Sequence, residues 1–193
     1  MFQSLLHFAA TVSTADDDGP GSYIFIGVAI AIAAGVSAAI YRRRDRKNTT
    51  AATGGSTAAL AFVIVPARPL DEHIAHVRAV LGETEPAPTF TRYARPVVSM
   101  DESGITISDK KFGVLATIPM TAIVRVDARA EKVRPVGLAY ARTFQVVGVT
   151  VAHEGAETRI ALAPVAGAYE SVTAAEAGAL ASAMAARVGA ARS

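Results

Sequence analysis

Few side chains in this chain are spaced for chemistry, and each has a specific test to meet. His73 and His76 stand in Asp71-Glu72-His73-Ile74-Ala75-His76. On a helix an i, i+3 histidine pair can share a metal, but the zinc-protease pattern needs His at i and i+4 with a Glu between them. Here Glu72 precedes both, His73 borders the apolar stripe and His76 points to solvent, so the segment reads as a surface helix. His153-Glu154 falls in a hairpin turn with no Ser or Asp motif beside it. Gly54-Gly55 lies in a small polar stretch and cradles no phosphate. Cysteine is absent, which excludes disulfides, thiolate metal sites and cysteine nucleophiles. We therefore read no catalytic residue, no metal site and no cofactor site, and expect a protein that is not an enzyme.

Basic residues are the other candidates. Arg42, Arg43, Arg44, Arg46 and Lys47 form a cluster broken only by Asp45, and Lys110-Lys111 sits in a turn. Residues 1–41 carry −3, residues 42–47 carry +4, and residues 48–193 carry +1, which together give the net +2. Because the sequence pI near 9.1 comes from one short cluster, it is not the spread-out basic face that nucleic acid requires, and no nucleic acid is expected as a partner.

The cluster follows Ser22–Tyr41, twenty residues without a charge. A helix of that length spans about 30 Å, the thickness of a hydrocarbon core. Its eight Ile, Val and Phe residues favour insertion by about 2–5 kcal/mol. Tyr23 and Tyr41 stand at the ends, where amphipathic rings prefer the interface. A cleaved signal would place its cations first, whereas here they come after the apolar run. The expectation is an uncleaved single-pass transmembrane helix over 22–41. Residues 1–21 would form a short extracytoplasmic tail. The positive-inside rule puts the cluster and everything after it in the cytoplasm, at the inner membrane. The cluster's first role is topology, with attraction of anionic lipid headgroups as the sharper one. Gly27, Ala31, Gly35 and Ala39 recur every four residues, a spacing that lets two membrane helices approach closely and makes a homodimer an expectation to test.

Residues 42–58 read as the basic cluster followed by a linker of small polar residues (NTTAATGGSTA at 48–58) with an r.m.s. span of about 17–20 Å. Residues 59–193 read as one cytosolic domain. Leu60–Val65 has strand length. Leu70, Ile74, Val77 and Leu81 mark an amphipathic helix that Gly82 ends. Strands follow over 97–100, 104–108, 112–118, 122–128, 142–151 and 157–163. A final helix runs from Thr173 to Val188, with Thr173 and Glu176 as a capping box and Ala177, Leu180, Met184 and Val188 as its stripe. The expected core is Val114, Ile118, Val124, Val126, Phe144 and Leu180.

The segments GITISDKKFGVLATIPMTAIVRVDA (104–128), FQVVGVTV (144–151), TRIALAP (158–164) and the last helix resemble the pleckstrin-homology (PH) superfold in its bacterial, GRAM-like forms. The 41 alanines and the 15 arginines against 4 lysines fit a GC-rich bacterial genome. The fold class expected is thus one N-terminal transmembrane helix plus a mainly-β, PH-like domain of antiparallel strands closed by a C-terminal helix. The leading expectation, with no catalytic constellation in the chain, is a non-catalytic membrane-tethered domain that presents a sheet edge, loop or helix groove to a membrane or membrane-associated protein. A second reading is a lipid-sensing or export-accessory module, in which Lys110, Lys111 and the 42–47 cluster contact anionic membrane lipid.

Overall fold

The computed structural model describes residues 39, 40, 43, 45, 47, 49, 60–83, 89–91, 94–167 and 169–192. The chain divides into two compact units, Met1–Ala39 and Ile40–Ser193. All described residues except Ala39 belong to the second.

That unit begins with strand β1 (Leu60–Val63), helix α1 (Arg68–Val80), and strands β2 (Val97–Met100), β3 (Gly104–Asp109) and β4 (Gly113–Pro119). The four strands form one antiparallel sheet in the order β1-β2-β3-β4. Local chemistry sets its turns. Asp101 caps the β2–β3 turn, its Oδ1 accepting from Ser103 N at 2.8 Å and Ser103 Oγ at 2.6 Å. Helix α1 has Pro69 in its first turn and buries Leu70, Ile74 and Val77. It ends in a double cap: Glu83 N donates to Arg78 O at 2.8 Å, and Gly82 N to Ala79 O at 3.1 Å.

A 3-10 turn (Met120–Ala122) leads into β5 (Ile123–Val133), β6 (Arg142–His153) and β7 (Ala156–Leu162), a second antiparallel sheet in the order β5-β6-β7. Glu154 (φ 50°) and Gly155 (φ 84°) form a two-residue turn that matches strand twist, so His153 pairs directly with Ala156. Val65 N donates to Ala163 O at 3.0 Å and Val165 N to Val63 O at 3.1 Å, which joins β1 to the chain leaving β7. Helix α2 (Ala174–Ala190) then packs on β5 and β6. Its capping box is formed, with Thr173 Oγ1 accepting from Glu176 N at 3.2 Å and Glu176 Oε2 accepting from Thr173 N at 2.8 Å.

The core lies between the sheets and α2 and includes Ile64, Ile74, Ile105, Ile107, Leu115, Ile118, Ile123, Phe144, Val147, Val149, Ile160, Leu162 and Met184. Of the expected core, Ile118 and Phe144 are buried, and Val126 and Leu180 are half-buried. Val114 is 63% exposed and Val124 46% exposed. Both errors have one cause. A register shift opposite Ile107/Ser108 makes Leu115 an extra residue in β4, and another at Ile123/Arg125 makes Val124 extra in β5. Each bulge reverses the inside–outside alternation, so Leu115 and Ile123 face inward instead. On α2 the buried stripe is Ala177, Ala181, Met184 and Val188, one position away from Leu180.

The expected fold class is corrected here. Among the described residues no helix is long and apolar enough to cross a membrane. Of the segment 22–41 only Ala39 and Ile40 are described. What the structure shows is a domain of two antiparallel sheets, of four and three strands, with α1 inserted between β1 and β2 and α2 at its C-terminal end.

Candidate functional site

The basic cluster and the Lys110-Lys111 turn, far apart in sequence, are tied to one buried arginine. Ala39, Ile40, Arg43, Asp45, Lys47 and Thr49 are all helical. At 100° per residue, Arg43 and Lys47 share one face, and Asp45 and Thr49 share the opposite one. Exposure follows this division: Arg43 and Lys47 are exposed, while Asp45 and Thr49 are half-buried. Asp45 takes both arms of Arg95, with Nε at 3.1 Å from Oδ1 and Nη2 at 2.5 Å from Oδ2. The side chains are 5% and 13% exposed. Arg95 Nη2 also donates to Gly167 O at 2.8 Å.

The main chain at Arg95 continues the path. Arg95 N donates to Asp109 Oδ2 at 3.0 Å, and Lys111 N donates to Asp109 Oδ1 at 2.8 Å. Asp109 thus shapes the β3–β4 turn and fastens it to the residue that holds the cluster. Lys110 and Lys111 are exposed at that turn, and Lys111 Nζ lies 4.9 Å from the Phe112 ring centre. Ile40 (60% exposed) and Val114 are apolar groups left open on the same two segments. The arrangement can receive anionic groups on Arg43, Lys47, Lys110 and Lys111, with apolar side chains beside them. Arg42, Arg44, Arg46, Gly27, Ala31 and Gly35 lie outside the described residues; Ala39 is helical and exposed.

A second polar cluster crosses the β5-β6-β7 sheet. Arg159 on β7 reaches over β6 to Asp127 (Nη2 to Oδ1, 3.1 Å) and Glu131 (Nη1 to Oε1, 3.0 Å) on β5. It can do so because residue 148 is glycine: a Cβ there would collide with the Arg159 guanidinium. Burial raises the Glu131 carboxyl, but the Arg129 hydrogen bond at 2.5 Å and the Arg159 charge outweigh it, leaving the group below its usual value. His73 of α1 faces this cluster. Its Nδ1 accepts a long hydrogen bond, 3.4 Å, from Ala161 N on the outer side of β7. Burial, and next the charge of His76, lower the His73 imidazole, while Glu131 and Glu72 pull it up.

The His153-Glu154 turn borders a cleft of about 480 Å³ with Leu81, Glu83, Thr117, Pro119, Thr121, Ala122 and Ala152. Glu83 in that cleft is paired with Arg78 at 2.7 Å, and among the described residues that line it no nucleophile–base hydrogen bond is formed. Among the described residues no three His, Asp or Glu side chains are grouped to hold a metal.

Sequence reasoning joined the cluster and the turn only through a shared lipid and missed Asp45, Arg95 and Asp109, which join them in the fold. One signal was available: Asp45 is the single acid among five cations. No protein-family model matches the chain, and no curated protein is significantly similar to it.

Proposed function

We propose that the protein is a non-catalytic interaction module of the cytoplasmic face of a cell membrane, held against anionic headgroups by Arg43, Lys47, Lys110 and Lys111. In that pose it offers the rest of its surface to a membrane-associated protein. The observation that carries this reading is the Asp45–Arg95 ion pair, because it fixes the basic segment to the domain beside the β3–β4 turn. A cluster acting only through charge count would need no such fastening. The uncharged run at 22–41, followed by five cations within six residues, supports the membrane location from sequence. Two antiparallel sheets followed by a C-terminal helix are compatible with the PH-like resemblance of residues 104–164.

The test is the ratio of full-chain partition into phosphatidylglycerol vesicles over phosphatidylcholine vesicles, which cancels any apolar contribution. Lys110→Gln with Lys111→Gln should lower that ratio by up to roughly fivefold per lysine, since a basic residue near an anionic surface contributes about 1 kcal/mol. Added salt should shrink the wild-type ratio toward the variant's. A ratio near one in the wild type, or one untouched by the substitutions, would remove the lipid contact from the account.

A further inference from the structure

β5 is an edge strand, with β6 as its only ladder partner among the described residues. The direction of its free groups follows from two side-chain bonds on the same sheet. Gln145 N on β6 donates to Ser171 Oγ at 2.8 Å, so it points away from β5. Ala161 N on β7 is directed to His73, so it points away from β6. Through the pairs Ala130↔Gln145 and Gly148↔Ala161, alternation in the ladder then sends the N–H and C=O of Val126, Ala128, Ala130 and Lys132 out from the β5 edge. Around them Ala128, Arg129 and Ala130 are all exposed, so both faces of the strand are open at its middle even though α2 packs on β5. Neither proline nor a mid-strand bulge blunts this stretch, whose one bulge lies at its start, so only its charged side chains decide what may pair with it.

The charges on β5 say what fits there. One face reads Arg125, Asp127, Arg129, Glu131, alternating in sign. We infer that the β5 edge pairs antiparallel with β5 of a second copy of this chain, about a two-fold axis at Ala128. In that register Arg125 stands opposite Glu131 of the partner subunit, and Asp127 opposite Arg129 of the partner subunit. The axis repeats both contacts, so four cross-strand pairs all match in sign. On the other face Ala128 meets its own copy and Val126 meets Ala130 of the partner subunit, small side chains that admit close approach. Shifting the partner by two residues, so that Arg129 meets itself, sets Asp127 against Glu131 and leaves Arg125 opposite Val133, so that every remaining charge pair is repulsive. The charge order therefore selects the register as well as the partner. Within one chain Arg125 and Arg129 keep 73% and 58% of their side chains in water, against 22% and 24% for Asp127 and Glu131, so it is the cations that have room for a second carboxylate. The product is a continuous six-stranded sheet, β7-β6-β5 and its mate.

The chain has no cysteine, which makes the test direct. Ala128→Cys in the full-length protein would bring two Cα atoms to about 5.5 Å, inside the span of about 4.4–6.8 Å that a disulfide bridges. Mild oxidation should yield a disulfide dimer at least tenfold more readily than with Ser182→Cys or Thr117→Cys, both exposed elsewhere. Adding Arg129→Glu to Ala128→Cys places like charges opposite each other and should abolish the cross-link, while Arg129→Lys should keep it. Circular dichroism of the reduced variants checks that the fold is intact. Cross-linking at 128 no better than at 182, or unchanged by Arg129→Glu, would overturn the pairing. So would a protein that stays monomeric at every concentration.

Discussion

Removing the Asp45 carboxylate would leave the Arg95 guanidinium, almost fully buried, without its bidentate partner. A hydrogen bond to a charged group contributes about 1.5–3 kcal/mol, and leaving a buried donor unmet costs a similar amount. Asp45→Ala should therefore destabilise the Ile40–Ser193 unit by about 1.5–3 kcal/mol in a urea titration, whereas Asp71→Ala, on the rim of α1, should change little. An unchanged midpoint for Asp45→Ala would mean the pair does not hold the segment in solution. His73 supplies a pH test. Its imidazole is lowered in the fold, so the unfolded chain binds more protons below the ordinary value of 6.5. Stability from this group is thus complete above about pH 6.5 and is lost as pH falls toward the folded value. His73→Asn keeps an acceptor for Ala161 N and removes the titration, so the decline in stability just below pH 6.5 should flatten. An identical pH slope in the variant would refute that role. None of these pairings was legible in sequence. Asp45 and Arg95 are fifty positions apart, and Arg159 finds Asp127 and Glu131 only because the β5-β6-β7 register puts Gly148 beneath it.

Elements were legible where their signals are local. The Asp101 turn, the Glu154-Gly155 turn, the Gly82 stop and the Thr173–Glu176 capping box each lie within a few residues of the groups they satisfy. Strand faces were not legible at the two bulges, where Val114 and Val124 were misplaced, since an extra residue in a ladder is fixed by the partner strand. The second half of β5 was missed because Ala128 to Lys132 alternates charge with alanine and shows no apolar period. In the stripe of α2, Ala177, Met184 and Val188 were placed correctly and Leu180 stood where Ala181 belongs, because alanines on every side blur the hydrophobic face. This last correction can be measured. Met184 is fully buried and Leu180 half-buried. Met184→Ala should cost about 2–5 kcal/mol, as buried large-to-small changes do, and Leu180→Ala clearly less. The reverse order would show that α2 is rotated from the face described here.

At the scale of the whole molecule, charge was the most readable property and its use the least. The sequence already concentrates its excess in residues 42–47, but only the fold ties that segment, through Arg95 and Asp109, to Lys111 and the β3–β4 turn. Val114 follows that turn at the start of β4, while the His153–Glu154 turn shares a cleft with the far end of β4 at Thr117 and Pro119. The two ends of one strand thus serve as probes of how the domain meets a membrane. Val114→Cys and Glu154→Cys, each labelled with a polarity-sensitive fluorophore in the otherwise cysteine-free full chain, can be exposed to an aqueous quencher in reconstituted vesicles. In phosphatidylglycerol the label at 114 should be shielded, and high salt should restore its quenching. In phosphatidylcholine it should be quenched freely, and the label at 154 should be quenched alike in both lipids. Equal quenching at 114 in the two lipids, or shielding at 154 instead, would contradict the account.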